Sequence, residues 1–343
     1  MNDESAEDSS AGRAPTGSTA ATSSGPAPAD SAVRTAFFGS GGFAVPILDA
    51  LVTMPGIRVA AVISAPDRPA GRKTVSTPTP VAARARELGL TVVQPVRVRR
   101  PEAIAELREL APELIVLADY GQLIPQALLD LPPRGFLNLH PSALPRHRGA
   151  APIPATILAG DAESAVTLMV VIEEMDAGPI VAVEPLEVRP DDTAVTLEER
   201  AALAAARLLR RALPEWLAGR LAARAQPSDG VTMTRPLRRE DGHWRAGGAV
   251  DLAAFERQIR AYQPWPGSFL DTPIGRLVIW RASVSPAQPG DDPEKIVAHD
   301  DGIALAGLGA RLVLEEVQLA GKRRISGAEL RRGHPGLVGK HVG

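Results

Sequence analysis

The chain has no cysteine, which excludes disulfides, thiolate metal sites and a cysteine nucleophile. Aromatic residues make up only 3% of its 343 residues, so aliphatic side chains must do most of the packing. No apolar run approaches the ~18 residues of a membrane helix. The first residues lack the charged start and apolar centre of a secretory signal. A cytoplasmic protein with no membrane partner is therefore expected. A dominant charge is also absent: 38 basic residues against 40 acidic ones leave a net −2, which neither attracts nor excludes nucleic acid as a whole.

What is present is ample apolar material, 45% of the chain, enough for a core. The length predicts two domains or one large one. Residues 1–33 are rich in Ser, Ala, Thr, Gly and Pro and carry five acids against one base. Such a segment cannot offset its ordering entropy, so it is expected to be a disordered acidic tail.

From Thr35 the pattern changes. Short apolar strands (35–39, 58–65, 91–94, 113–118, 135–140) alternate with helical spacing over 43–51, 81–88 and 102–110. That alternation predicts an α/β fold, a doubly wound and mostly parallel sheet. Two further strands, 165–172 and 180–188, flank a loop and suggest an antiparallel pair. A long Ala/Leu/Arg helix over 193–221 is expected to be interrupted near Pro214. Residues 34–222 thus read as a catalytic domain and 223–236 as a linker. In 237–343, short strands at 277–280, 295–298, 303–306 and 312–317, separated by Gly, Pro and Asp, predict a smaller OB-like β-barrel.

Two places invite chemistry. Gly39-Ser40-Gly41-Gly42-Phe43-Ala44 follows a strand and opens a helix, the fingerprint of a dinucleotide site, with Asp67 as a ribose acid. A nicotinamide-dependent enzyme is one reading of it; turn chemistry is the other. The second place is Asn138-Leu-His140. Residues two apart on a strand share a face, so an amide and an imidazole sit together at the strand's C-terminal end. A buried core histidine is the plainer alternative. Three acids follow in the loop Glu173-Glu174-Met175-Asp176-Ala177-Gly178-Pro179, and spacing alone does not choose among them.

The run Asn138-x-His140-Pro-Ser142-x-Leu144-Pro145-x-x-Arg148-Gly149, then Met175-Asp176-x-Gly178-Pro179, resembles the folate-dependent formyltransferases. The loop Ala65-Pro-Asp-Arg-Pro-Ala-Gly-Arg72 and the segment Pro264-Trp265-Pro266 are similar to the branch that formylates initiator Met-tRNA. The likeness covers all but the tail. It implies Asn138, His140 and Asp176 as the catalytic set, 10-formyltetrahydrofolate as co-substrate, initiator Met-tRNA as partner, no metal, and a monomer. The folate cleft it implies comprises Val116, Leu117, Ala118, Tyr120 and Gly121, then Ser142, Ala143, Leu144 and Pro145, with Ile172 and Gly178 opposite. For the tRNA it implies Arg68, Arg72, Lys73 and Arg148, together with Arg235, Arg238, Lys322 and Arg323. The same chemistry on a sugar nucleotide or other small amine is the alternative, and a non-catalytic RNA-binding protein is another. This chain departs from the pattern at Gly41-Gly42, where relatives usually carry Pro and an acid. It also departs at Asp119, where Ala is common, and at His147, usually an aromatic.

Formyl transfer between amines needs an oxyanion stabilised, protons moved, and the acid–base group held in place. An Asn138 amide suits the first task and His140 the second. Asp176 suits the third, orienting His140 or a bridging water.

Overall fold

The computed structural model describes residues 32–70, 75–245 and 251–342. Most of the tail, and the tRNA candidates Arg72 and Lys73, lie outside the described residues.

Strand β1 (Val33–Gly39) is buried along most of its length and leads through a 3-10 turn into α1 (Val45–Val52). Strand β2 (Ile57–Ile63) follows, then a hairpin of β3 (Arg68–Ala70) and β4 (Val75–Thr77). Next come α2 (Pro80–Glu87), β5 (Val92–Val93), α3 (Pro101–Glu109), β6 (Leu114–Ala118), α4 (Gln126–Leu129) and β7 (Phe136–His140). Helices α2 and α3 begin with Pro and α1 has Pro46 second, in the first turn where the missing N–H has no helical partner to lose. In α2 the Thr79 hydroxyl also caps the helix by accepting from the Ala82 N–H.

Beyond β7 lie β8 (Arg148–Gly149), α5 (Pro152–Ala159), β9 (Glu163–Val170), β10 (Ile180–Glu187) and the long α6 (Ala194–Leu217). The main sheet has the order β10-β9-β7-β6-β1-β2-β5. Its five strands from β7 to β5 are parallel, and β9 and β10 run antiparallel, as the spacing predicted. Strand alternation sorts the apolar residues to two faces. Phe37, Val62, Val116 and Leu137 pack under α1 and α6, while Phe38, Ile63, Ile115 and Phe136 meet Leu107 and Leu128 on the other side. Helix α6 does not break at Pro214: the proline sits in the last turn, where little helix remains to disrupt.

The chain winds outward from β1 to β2 and β5, then returns to β6 on the other side of β1. The strand order therefore reverses between β1 and β6, and a crevice opens at their C-terminal ends, beside the end of β7.

The rest is a second sheet. Strand β11 (Met233–Thr234) pairs back in parallel with β8 of the first half. Helix α7 (Leu252–Ala261), capped by the Asp251 side chain, precedes β12 (Ser268–Thr272), β13 (Gly275–Pro286), β14 (Ile296–His299), β15 (Gly302–Ala306), β16 (Ala310–Leu319), β17 (Ile325–Ser326) and α8 (Gly327–Gly333). These strands form an antiparallel sheet in the order β12-β13-β16-β15-β14, with β17 on β16. Phe255, Ile279, Leu305 and Leu314 are in its core. The pattern of short strands anticipated this sheet but missed β12, β17 and both helices.

Candidate active site

Strand β7 brings Asn138 and His140 to the sheet's C-terminal edge, both buried. The antiparallel turn from β9 to β10 carries Asp176 over them. Asn138 Nδ2 donates to Asp176 Oδ1 at 3.3 Å, using one of the amide's two N–H bonds and leaving the second for a ligand oxygen. His140 Nδ1 lies 3.7 Å from Asp176 Oδ2. Its Nε2 lies 2.9 Å from the His147 carbonyl oxygen. A carbonyl only accepts, so Nε2 carries the hydrogen and Nδ1 is the nitrogen that faces the site. Three residues selected at the sequence level thus converge, and Asp176, rather than Glu173 or Glu174, is the acid among them.

Asp176 is held from several sides. Its Oδ2 accepts the Gly149 N–H at 2.8 Å. Its backbone takes a left-handed φ of 49°, unusual for a non-glycine residue. Gly178 has to be glycine, because a Cβ there would lie 1.8 Å from the Val170 carbonyl oxygen. Gly149 is under the same constraint: its φ is +102° and a Cβ would stand 2.3 Å from the Thr234 carbonyl oxygen.

That last contact exposes what composition missed. The segment predicted as a linker is bonded to both site loops. The Thr232 hydroxyl accepts the His147 N–H at 2.7 Å, and the Thr234 hydroxyl accepts from Ala151 N–H and donates to the Arg148 carbonyl. Gln226 reaches Arg148, Asp176 and Gly178. No periodicity announces such contacts. Gln226 and its partners are 48 to 78 residues apart in the chain.

Around this centre Val116 and Ala118 are buried and Leu117 half-buried, so β6 offers mainly backbone to the crevice. Tyr120 departs from the expectation for the folate cleft. Its ring is buried edge-on against Phe38 in the core, and its hydroxyl, pushed up in pKa by burial, has no hydrogen-bond partner among the described residues. Ser142 is fully buried, its hydroxyl donating to the Arg146 carbonyl, and the peptide between Leu144 and Pro145 is cis. Ile172 and Met175 remain exposed apolar residues on the facing loop, suited to one face of an aromatic ring.

Among the tRNA candidates, Arg68 is exposed on its hairpin, and Lys322 is exposed. Arg148, by contrast, is buried, with its guanidinium bound to Gln226 and Glu174, and offers little surface to an RNA phosphate. Arg235 is exposed but bound bidentately to Asp241, whose pKa falls chiefly through that bond. Arg238 and Arg323 lie on the surface beside Glu240 and Glu329.

The glycine turn is not a dinucleotide site. Both Ser40 and Gly41 direct their N–H groups to the Asp119 carbonyl. A Cβ on Gly41 would lie 1.7 Å from Asp119 Oδ2. Glu198 of α6 accepts the Phe43 N–H at the start of the helical segment, where a pyrophosphate would sit. Burial raises the Glu198 pKa and the nearby Asp119 raises it further; desolvation raises that of Asp119, which keeps one edge in solvent. A bound anion would meet two carboxyls there.

Comparison with known proteins agrees with this geometry. Residues 33–213 match the formyl transferase family, and residues 251–335 match the formyl transferase C-terminal domain. The chain belongs to the formyltransferase family. Relatives that match over nearly their full length include methionyl-tRNA formyltransferases. That of Thermus thermophilus is 39% identical over 91% of this chain and 99% of its own length. That of Roseiflexus castenholzii is 38% identical over 91% and 99%. Among solved structures, an N-formyltransferase from Helicobacter canadensis in complex with folinic acid and dTDP-3-aminofucose superposes with a TM-score of 0.60. It is 15% identical and covers 82% of this chain and 98% of that one, a likeness of fold alone.

Proposed function

We propose that the protein transfers the formyl group of 10-formyltetrahydrofolate to the amino group of initiator Met-tRNA, supplying formyl-Met-tRNA for translation initiation. The observation that carries the chemistry is the contact of Asp176 with both Asn138 and His140. Relatedness across nearly the whole chain carries the acceptor.

In this reading the free N–H of Asn138 donates to the formyl oxygen as it becomes an oxyanion. His140 Nδ1 faces the reacting nitrogens and moves the proton that the attacking amine loses and the departing N10 gains. Asp176 stabilises the charged imidazole and holds the Asn138 amide in place. The backbone edge of β6 and the exposed Ile172 and Met175 frame the folate. Arg68 and Lys322, both exposed, meet RNA phosphates. The test mixes the protein with 10-formyltetrahydrofolate and charged initiator Met-tRNA and follows formyl-Met-tRNA on an acid gel, with elongator Met-tRNA in parallel. Product with the initiator and little with the elongator is expected. Folate binding without product from either tRNA would move the acceptor to a small amine.

A further inference from the structure

We infer that Gln226 is a positioning residue for Asp176, so that the segment between the two sheets completes the catalytic centre; this rests on the formyl-transfer reading. A left-handed non-glycine residue is strained and persists only where its surroundings impose it. At Asp176 the imposition comes from outside its own loop. Gln226 Nε2 donates to the carbonyl oxygens of Asp176 and Gly178, both at 2.8 Å, gripping the loop on each side of Ala177. Gln226 Oε1 accepts from Arg148 Nε at 3.0 Å and from Nη2 at 2.8 Å. Both donors and both acceptor lone pairs of the amide are thereby used.

Arg148 closes the circuit, because the next residue, Gly149, donates its N–H to the Asp176 carboxylate. One ring of hydrogen bonds thus runs from the Gln226 amide through the backbone and carboxylate of Asp176 to Gly149, Arg148 and back. The ring fixes both where the Asp176 chain lies and where its carboxylate points, and that carboxylate faces Asn138 and His140. Removing the amide leaves two loop carbonyls without this donor and the buried guanidinium with Glu174 alone, at 3.5 Å. Gln226 touches neither reacting group; it acts through Asp176.

The experiment uses the full chain with Gln226→Met, which keeps length and removes the polar ends. Gln226→Glu is its partner, keeping the acceptor for Arg148 and losing the donors. Both variants are expected to stay folded, with Tm lowered by the lost hydrogen bonds, and to keep both KM values while kcat falls about 10–100-fold, the scale of a misplacement near 1 Å. In an Asp176→Ala background Gln226→Met should cost nothing more, since its effect passes through that carboxylate. Equal losses in both backgrounds, or full activity in the single variant, would overturn the inference. Hydrogen exchange at the Gly149 amide gives a readout independent of turnover and should quicken in Gln226→Met. Unchanged exchange refutes the ring even if the wild type proves to formylate a different amine.

Discussion

Residues 39–42 have the spacing of a phosphate cradle, and residues 223–236 have the composition of a tether. In the fold they trade places. The turn spends its N–H groups on the Asp119 carbonyl and admits Glu198 where an anion would bind. The tether bonds to the loops that carry His147, Arg148 and Asp176. A motif describes what a backbone can do; the partners it meets decide what it does. A glycine in the turn and one packed against the tether make the point. At Gly149 an added Cβ would strike a backbone carbonyl, which cannot yield, whereas at Gly41 it would strike the tip of the Asp119 side chain, which can turn away.

That contrast can be pressed by mutation. Asn138→Ala should slow turnover about 10²–10³-fold, the usual result of losing one oxyanion donor, and His140→Ala about 10²–10⁴-fold, the scale of a lost general acid–base, with secondary structure by circular dichroism unchanged; near-normal kcat would remove either residue from the centre. Gly149→Ala should follow, with kcat down roughly 10–100-fold through displacement of Asp176 and a lower Tm from the strained φ. Gly41→Ala should change kcat less than about threefold, because only a side-chain rotamer must shift; a collapse of activity would show the turn to be functional after all. NAD should neither bind nor protect.

The smallest effect concerns Glu198. Its pKa is raised in the fold, so the native state keeps a proton that the unfolded chain has released, and stability is lost as pH rises through the interval between the two values. Glu198→Gln should therefore raise Tm slightly at pH 7–8, and the gain should fade in acid below the ordinary carboxylate range. A gain that grows on acidification would reverse the sign and with it the account of this carboxyl.

These two regions also show what the chain discloses before it folds. Phe37 and Phe38 on opposite faces, and Asn138 with His140 on one, follow from the two-residue period of a strand and are readable one element at a time. The acid was readable only as one of three. Choosing Asp176 required either a resemblance or the fold, since its orientation depends on a left-handed backbone and on the N–H of Gly149, 27 residues away. The direction of the Tyr120 ring was not readable either, because a sequence does not say which way a residue just past a strand will turn, and this one packs on Phe38. Arg148 read as a surface cation because its charge is local and its partner Gln226 is 78 residues distant. Pro214 was given too much weight because a proline's cost depends on how much helix follows it.

Strand β11 ends at Thr234, beyond the last core residue of α6 and beyond the family match that stops at residue 213. Anyone shortening this enzyme would be drawn to cut near residue 222, just past α6, although Leu237, Ala261 and Tyr262 beyond it also pack on the first core. Such a fragment would lack Gln226, Thr232 and Thr234 and turn over poorly. A cut after Thr234 would leave the loop ring whole. Minimal engineered versions, and chimaeras that graft a new acceptor-binding module onto this sheet, should therefore be spliced downstream of β11.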